Sequence, residues 1–380
     1  MRRSTETERQ RLAETFAALC RIPSPSGHER ACADWVAAEL ETLGLEVHED
    51  DSASAVGSDA GNLFARIPGR REASILLCAH IDTVPPAEPI DPVLVDGYWE
   101  NANEGILGAD NKSAVAVVLE LARRLRRAAE PPPIGVELLF TVCEEVSLRG
   151  SREFDVARLQ SAFGYVFDHA TPIGEIVVAS PTLYRIVAEF RGRAAHAGVR
   201  PEAGRSAIAA AANAIAAMRL GRLDAETTAN VGMIDGGTAI NVVPERCRVE
   251  AEVRSLDETR AAAVATETVD HLQDAANAGE CDLDLNVERM FSGFRTKPRA
   301  PQLAVAERAL RACGYDPRQI ASGGASDANS FEAAGFSCTN LADGTERNHE
   351  PGERISVNAL ESLLDIAITL VDEATAELVS

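Results

Sequence analysis

Four short, predominantly apolar runs, at residues 75–79, 136–143, 163–167 and 336–341, constrain the fold more than any other feature of this chain. A strand with one wet face alternates apolar and polar side chains. These runs lack a polar face and are too short for buried helices. They read as strands covered on both sides, with helical patterns between them. Between the first two, residues 111–127 place Val115, Val118, Leu119 and Ala122 on one stripe, with Asp110 at the N-cap position. Alternation of this kind over 12–180 and 295–375 predicts an α/β unit whose mostly parallel sheet carries helices on both faces.

Residues 181–292 follow another rhythm. Strand-like alternation at 183–191 precedes an Ala-rich helix at 205–218, then strands at 228–234 and 247–254. A helix at 257–276 and strict alternation at 282–287 complete a β-α-β-β-α-β order. That order predicts an inserted α+β unit of ferredoxin-like type, whose edge strands invite pairing with a second copy. The expected division is therefore 1–180 with 293–380 as one discontinuous domain, and 181–292 as the insert. The Pro-rich segment 128–133 reads as a stiff connector between a helix and a strand.

Composition narrows the function classes. With 380 residues, 46% of them hydrophobic, the chain can bury a large core without disulfide or metal staples. Asp and Glu total 59 against 37 Lys and Arg, a formal charge of −22. Nucleic-acid binders displace counterions with cations, so this balance opposes such a partner. No run of roughly 18 apolar residues occurs to span a membrane, and no apolar leader follows Met1. The eight cysteines form no Cys-x-x-Cys pair, and several fall inside the strand-like runs. Buried free thiols in a reducing cytoplasm are the expectation.

Each buried run delivers chemistry at its carboxyl end. His80 and Asp82 follow the first, Glu144 and Glu145 the second, and Asp168 and His169 the third. A loop after the fourth reaches His349. Ligands bind at the carboxyl ends of strands in open α/β sheets. Five carboxylates there (Asp82, Asp110, Glu144, Glu145 and Asp168) would repel one another in a partly dry cleft unless protons or cations intervened. Lys112 is the one basic residue near them. Imidazole with carboxylate and no thiolate suits zinc, cobalt or manganese. One carboxylate more than a single tetrahedral ion needs suggests two ions sharing a bridge. Taken singly, Asp110 reads as a helix cap, and Glu144-Glu145 as a solvated pair.

The strings AHIDTV (79–84), GILGADNKSA (105–114), TVCEEVSLRGS (141–151) and FDH (167–169) resemble metallopeptidase family twenty. That family includes peptidase T, aminoacylase and glutamate carboxypeptidase. GRAAHAGVRPEAGRSAI (192–208), GGTAINVVPE (236–245) and VRSLD (253–257) resemble its inserted lid or dimerisation domain. GGASDAN (323–329) and RNHEPGE (347–353) resemble its closing catalytic segment. The match runs over nearly the whole chain, with the peptidase T-like branch nearest.

The resemblance implies a dizinc catalytic domain in which His80 and Asp168 bind one metal, and Glu145 and His349 the other. Asp110 would bridge them, with the following peptide bond often cis in the family. Asp82 would orient the His80 imidazole, and Glu144 would act as general base on a metal-activated water. His196, from the lid or a partner subunit, would support the oxyanion. Asn241 and Arg254 would grip the substrate's terminal carboxylate. Asp at position 168 leans towards N-terminal trimming of di- or tripeptides. GGASDAN and His169 depart from typical peptidase T sequences and set strict tripeptide specificity in doubt. The rivals are a carboxypeptidase or N-acyl-amino-acid deacylase on the same machinery, and a metal- or peptide-binding protein without catalysis. His28, His48 and His271 read as surface or structural residues.

Overall fold

The computed structural model describes residues 3–379, which form two compact units, 3–178 with 296–379 and 179–295. In the first, strands lie in the order Val47–Glu49, Leu63–Ile67, Gly135–Thr141, Ser74–His80, Gly164–Phe167, Cys338–Leu341 and Glu175–Ser180. The middle four run parallel, and the flanking pairs are antiparallel. All residues of Ser74–His80, Gly135–Thr141 and Gly164–Phe167 are buried, as their lack of a polar face requires.

Side chains of a strand alternate between faces, and both faces are covered. Ile75, Leu77 and Ala79 pack in one core with Val115, Val118, Leu363 and Ile366, from the helices Ala109–Arg127 and Val357–Val379. On the opposite face Cys78 Sγ meets Asp327 Oδ2 at 3.7 Å, where the helix Asp327–Ala333 lies. Each fully buried Leu, Ile or Val contributes roughly 1.5–3 kcal/mol. Among the described residues no helix is long and apolar enough to cross a membrane. All eight cysteines are free and seven are buried.

The second unit is a five-stranded antiparallel sheet. Its long strands lie in the order Thr227–Gly236, Arg246–Ser255, Thr182–Arg191 and Asp282–Phe291, the ferredoxin-like arrangement. The helices Ala207–Ala217 and Glu258–Ala278 cover one face, where Ile186, Ala188, Phe190, Val249 and Leu272 form a separate core. The other face is wet. It carries ion pairs between strands, such as Arg248 with Glu189 at 3.3 Å and Arg191 with Asp284 at 3.2 Å.

A small third sheet belongs to the first unit and positions the site. It joins Thr345–Glu346, Arg354–Ser356, Tyr98–Asn101 and Pro92–Val95 in that order. Residues 347–353 are therefore the loop of a hairpin, held down where Arg354–Ser356 pairs with Tyr98–Asn101.

Candidate metal centre

The strand Ser74–His80 ends by placing His80, 1% exposed, at the carboxyl edge of the sheet. Its Nδ1 faces the main-chain oxygen of Asp82 at 3.0 Å, and its Nε2 lies 3.1 Å from Asp110 Oδ1 and 3.7 Å from Asp168 Oδ1. His349 Nε2 lies 2.9 Å from Glu145 and 3.3 Å from Asp110 Oδ2. Two triads result, His80–Asp110–Asp168 and Asp110–Glu145–His349, each with one donor atom per residue inside a 4.8 Å span. Asp110 belongs to both, offering a different oxygen to each. These are the five residues that the sequence motifs single out as ligands.

Asp110 does not cap its helix. The helix Ala109–Arg127 has Gly108 in the N-cap position and no side-chain cap. Asp110 and Asn111 have non-helical dihedral angles, and the bond between them is cis. The carboxylate leaves the helix axis and faces the two histidines, so the cap reading of this residue is corrected.

Asp82 also acts differently from expectation. Its Oδ1 is 3.5 Å from His80 Nδ1, too long for a good hydrogen bond. Instead Oδ1 accepts the Glu144 N–H at 2.9 Å, and Oδ2 accepts the Glu145 N–H at 3.2 Å and the Ser26 hydroxyl at 2.7 Å. Asp82 holds the imidazole through its backbone and the two glutamates through its side chain. The chain doubles back just after them. A Cβ on Gly150 would stand 2.0 Å from Val142 O, so only glycine permits this close return. Glu144 projects a carboxylate whose Oε2 is 4.0 Å from His80 Nε2, beyond hydrogen-bond reach.

The electrostatics are those of a cation site. Burial, and then the neighbouring Asp168 charge, push the Glu144 carboxyl well above its usual range. Burial also carries Asp168 well above it and raises Glu145. Burial disfavours charge on His80, but the neighbouring carboxylates of Asp110, Asp168 and Asp82 overcome this and hold its pKa well above normal. His349, hydrogen-bonded to Asp110 and Glu145, rises to about 10. Asp110 moves the other way: burial raises it, but hydrogen bonds from His349 and His80 prevail and lower it. Without metal, protons balance these carboxylates. Imidazole nitrogens and carboxylate oxygens converging in two triads with one shared member fit a pair of divalent cations.

Four further polar residues support the cage. Asn348 donates to Asp110 Oδ2 at 2.8 Å, and Glu353 accepts the Asp110 N–H at 2.9 Å. Asp327 and Asp343 are buried beside the site, their carboxyls raised by burial, Asp343 to about 7. Sequence reasoning assigned these four no role, although three of them lie inside the motifs GGASDAN and RNHEPGE. An acidic residue within a segment that must be buried was the available signal.

The lid residues separate into two places. His196 and Asn241 are exposed neighbours: the Ala197 N–H bonds to Asn241 O at 2.9 Å, and His196 bridges to Val242. Arg254 does not join them. The ladder pairs Arg246 with Arg191 at the end near Asn241, and Arg254 with Leu183 at the other. Eight residues of strand, roughly 26 Å, separate those ends. Arg254 pairs with Glu252 at 3.0 Å. Within one copy of the chain, Asn241 and Arg254 do not reach a common carboxylate.

Known proteins share this fold. The profile of peptidase family M28 matches residues 62–170, and that of the M20 peptidase dimerisation domain matches residues 182–280. The Bacillus subtilis protein YqjE is 34% identical over 367 residues, covering 96% of this chain and 98% of its own. The crystal structure of aminopeptidase PepT from Bacillus cereus is 36% identical, with a TM-score of 0.87 over 97% of this chain and 99% of that one. A tripeptidase from Staphylococcus aureus is 32% identical, with a TM-score of 0.92 over 97% and 99%. The chain belongs to metallopeptidase family twenty, in its peptidase T-like branch.

Proposed function

We propose that this protein is a two-metal, zinc-dependent aminopeptidase that releases the N-terminal residue of di- or tripeptides. One observation carries the reading. Side chains from three strand ends, the start of a helix and a hairpin loop meet in two triads sharing Asp110, with the uncommitted carboxylate of Glu144 beside them. His80 and Asp168 would hold one ion, Glu145 and His349 the other, with Asp110 common to both; zinc fits this donor set, as would cobalt or manganese. When bound, the ions supply a nucleophile from water at neutral pH and polarise the scissile carbonyl.

The chain's own groups divide the remaining work. Glu144 receives the proton of the attacking water at its carboxylate and returns it to the departing amine. Its partly desolvated position suits a base whose affinity for protons is raised. Asp82 keeps Glu144 and Glu145 at a fixed angle through their N–H groups. His196 is proposed to meet the oxyanion, from the lid or a partner subunit. Asn241 and Arg254 remain candidates for the substrate's carboxylate, contributed by different copies of the chain. Beyond its short pairing with Gly221–Arg222, the strand Thr227–Gly236 leaves its second half at the sheet edge, with Met233 59% and Ile234 52% exposed, and this supports a homodimer through the inserted unit. Seven buried free thiols support a cytoplasmic setting, and the formal charge of −22 argues against a nucleic-acid partner.

The test is metal analysis of purified protein together with turnover of free, N-acylated and C-amidated tripeptides. Two ions per chain, with cleavage lost on acylation and kept on amidation, is the expected outcome. Loss on amidation but not acylation would assign the carboxyl end instead. Two ions with no turnover of any peptide would make the protein a binder.

A further inference from the structure

The loop 347–353 touches Asp110 at three points. His349 Nε2 lies 3.3 Å from Oδ2, and Asn348 Nδ2 donates to the same oxygen at 2.8 Å. Glu353 takes the backbone: Oε1 accepts the Asp110 N–H, and Oε2 accepts those of Leu107 and Gly108, each at 2.9 Å. Glu353 is 1% exposed. Taking a carboxylate out of water is costly, and here three main-chain donors compensate it.

The first N–H groups of a helix lack intrahelical partners and usually bond to a capping side chain nearby in sequence. The helix Ala109–Arg127 has no such cap. Asp110, the local residue able to provide one, directs its carboxylate to the two histidines. Glu353, more than 240 residues downstream, takes one of these donors in its place, the Asp110 N–H, together with the N–H groups of Leu107 and Gly108 just ahead of the helix. That substitution leaves Asp110 free to serve two sites at once. Its two oxygens must stay aimed at different places, Oδ1 at His80 and Oδ2 at His349. A small rotation of the residue withdraws one of them.

The geometry points to Glu353 and Asn348 as positioning residues that fix Asp110 from both ends, backbone and carboxylate, and so secure occupancy by two ions instead of one. The inference rests on the two-metal reading above. In Glu353→Gln one acceptor oxygen becomes an NH2 group facing an N–H donor, with shape otherwise kept. Asn348→Ala removes the grip on Oδ2 and leaves the buried backbone bonds intact.

The experiment titrates zinc into metal-free, full-length protein by calorimetry, with metal content per folded chain measured after size exclusion. Melting of the metal-free form is recorded in parallel. The wild type should take two equivalents. Both variants should bind the second at least about tenfold more weakly, with kcat lowered, KM little changed, and kcat partly restored by excess zinc. Glu353→Asp, which keeps two acceptors on a shorter arm, should fall between Glu353→Gln and the wild type. Wild-type affinity for both equivalents in folded Asn348→Ala and Glu353→Gln, even with lower melting points, would reduce the loop to a structural role and overturn the inference. If Glu353→Gln does not fold, Asn348→Ala and Glu353→Asp decide in the same way. A wild-type chain that takes up no ion pair would remove the functional reading itself. Intact wild-type uptake with unaltered variants would remove this inference alone.

Discussion

Asp82 Oδ1 accepts the main-chain N–H of Glu144 at 2.9 Å, joining the residue after the first buried strand to the residue after the second. The bond places the free carboxylate of Glu144 beside the two triads and leaves it outside both. A group so placed can exchange protons without holding metal.

Glu144→Gln should therefore lower kcat by about 10²–10⁴-fold while both ions stay bound. Metal content and peptide turnover on the same sample check this. A variant that hydrolyses peptides at the wild-type rate would end the case for Glu144 as the base.

Removing metal should abolish turnover and free two imidazoles to hold protons. His349, raised to about 10, is charged at pH 7 in the metal-free chain. Rebinding must then expel at least about one proton per chain, visible as buffer-dependent heat in calorimetry. With free ion at about a hundred times its Kd, the fold should gain about 2.7 kcal/mol. Heat independent of the buffer's ionisation enthalpy would contradict the protonated cage.

Asp343 gives the metal-free fold a pH dependence of definite sign. Burial raises its carboxyl from 3.8 to about 7, so the folded chain keeps a proton that the unfolded chain releases. The stability it contributes is complete below about pH 4 and is lost as pH rises through about 7. Asp343→Asn cannot titrate. Its melting temperature relative to the metal-free wild type should climb between pH 4 and 8, and a flat difference would refute the assignment.

Met233→Glu puts a charge on the exposed edge strand of the inserted unit. If that edge joins two copies, sedimentation should show a shift from dimer to monomer, with melting of the isolated chain little changed. A dimer that persists unaltered would place the interface elsewhere.

Leu77→Ala opens a hole in a strand covered on both faces, at a residue that is 0% exposed. A cost of about 2–5 kcal/mol is expected from denaturant unfolding. A loss under about 1 kcal/mol would contradict the two-sided packing.

The sheet was legible because burial on two faces leaves a run without a polar side, and all four such runs became neighbouring parallel strands. The convergence of His80, Glu145 and Asp168 was legible because strands carry the residues that follow them to one edge. Capping was misread at Asp110, where local pattern favours a helix start and the carboxylate is drawn away by two distant histidines. Glu353 was invisible in its supporting role, since its partners are backbone N–H groups with no side-chain signature and lie across the chain. Arg254 failed to meet Asn241 because strand length is readable from sequence while the end of the sheet that a substrate visits is not.

The strand Cys338–Leu341 pairs with Gly164–Phe167, so the sheet is finished by residues from the far side of an entire inserted unit. During synthesis the first 170 or so residues leave the ribosome with an unfilled edge, and His349 emerges later still. A chain of that length carries His80, Asp110, Glu145 and Asp168 but lacks His349, the remaining member of the second triad. The second triad is therefore complete only near the end of translation, after the inserted unit is already made.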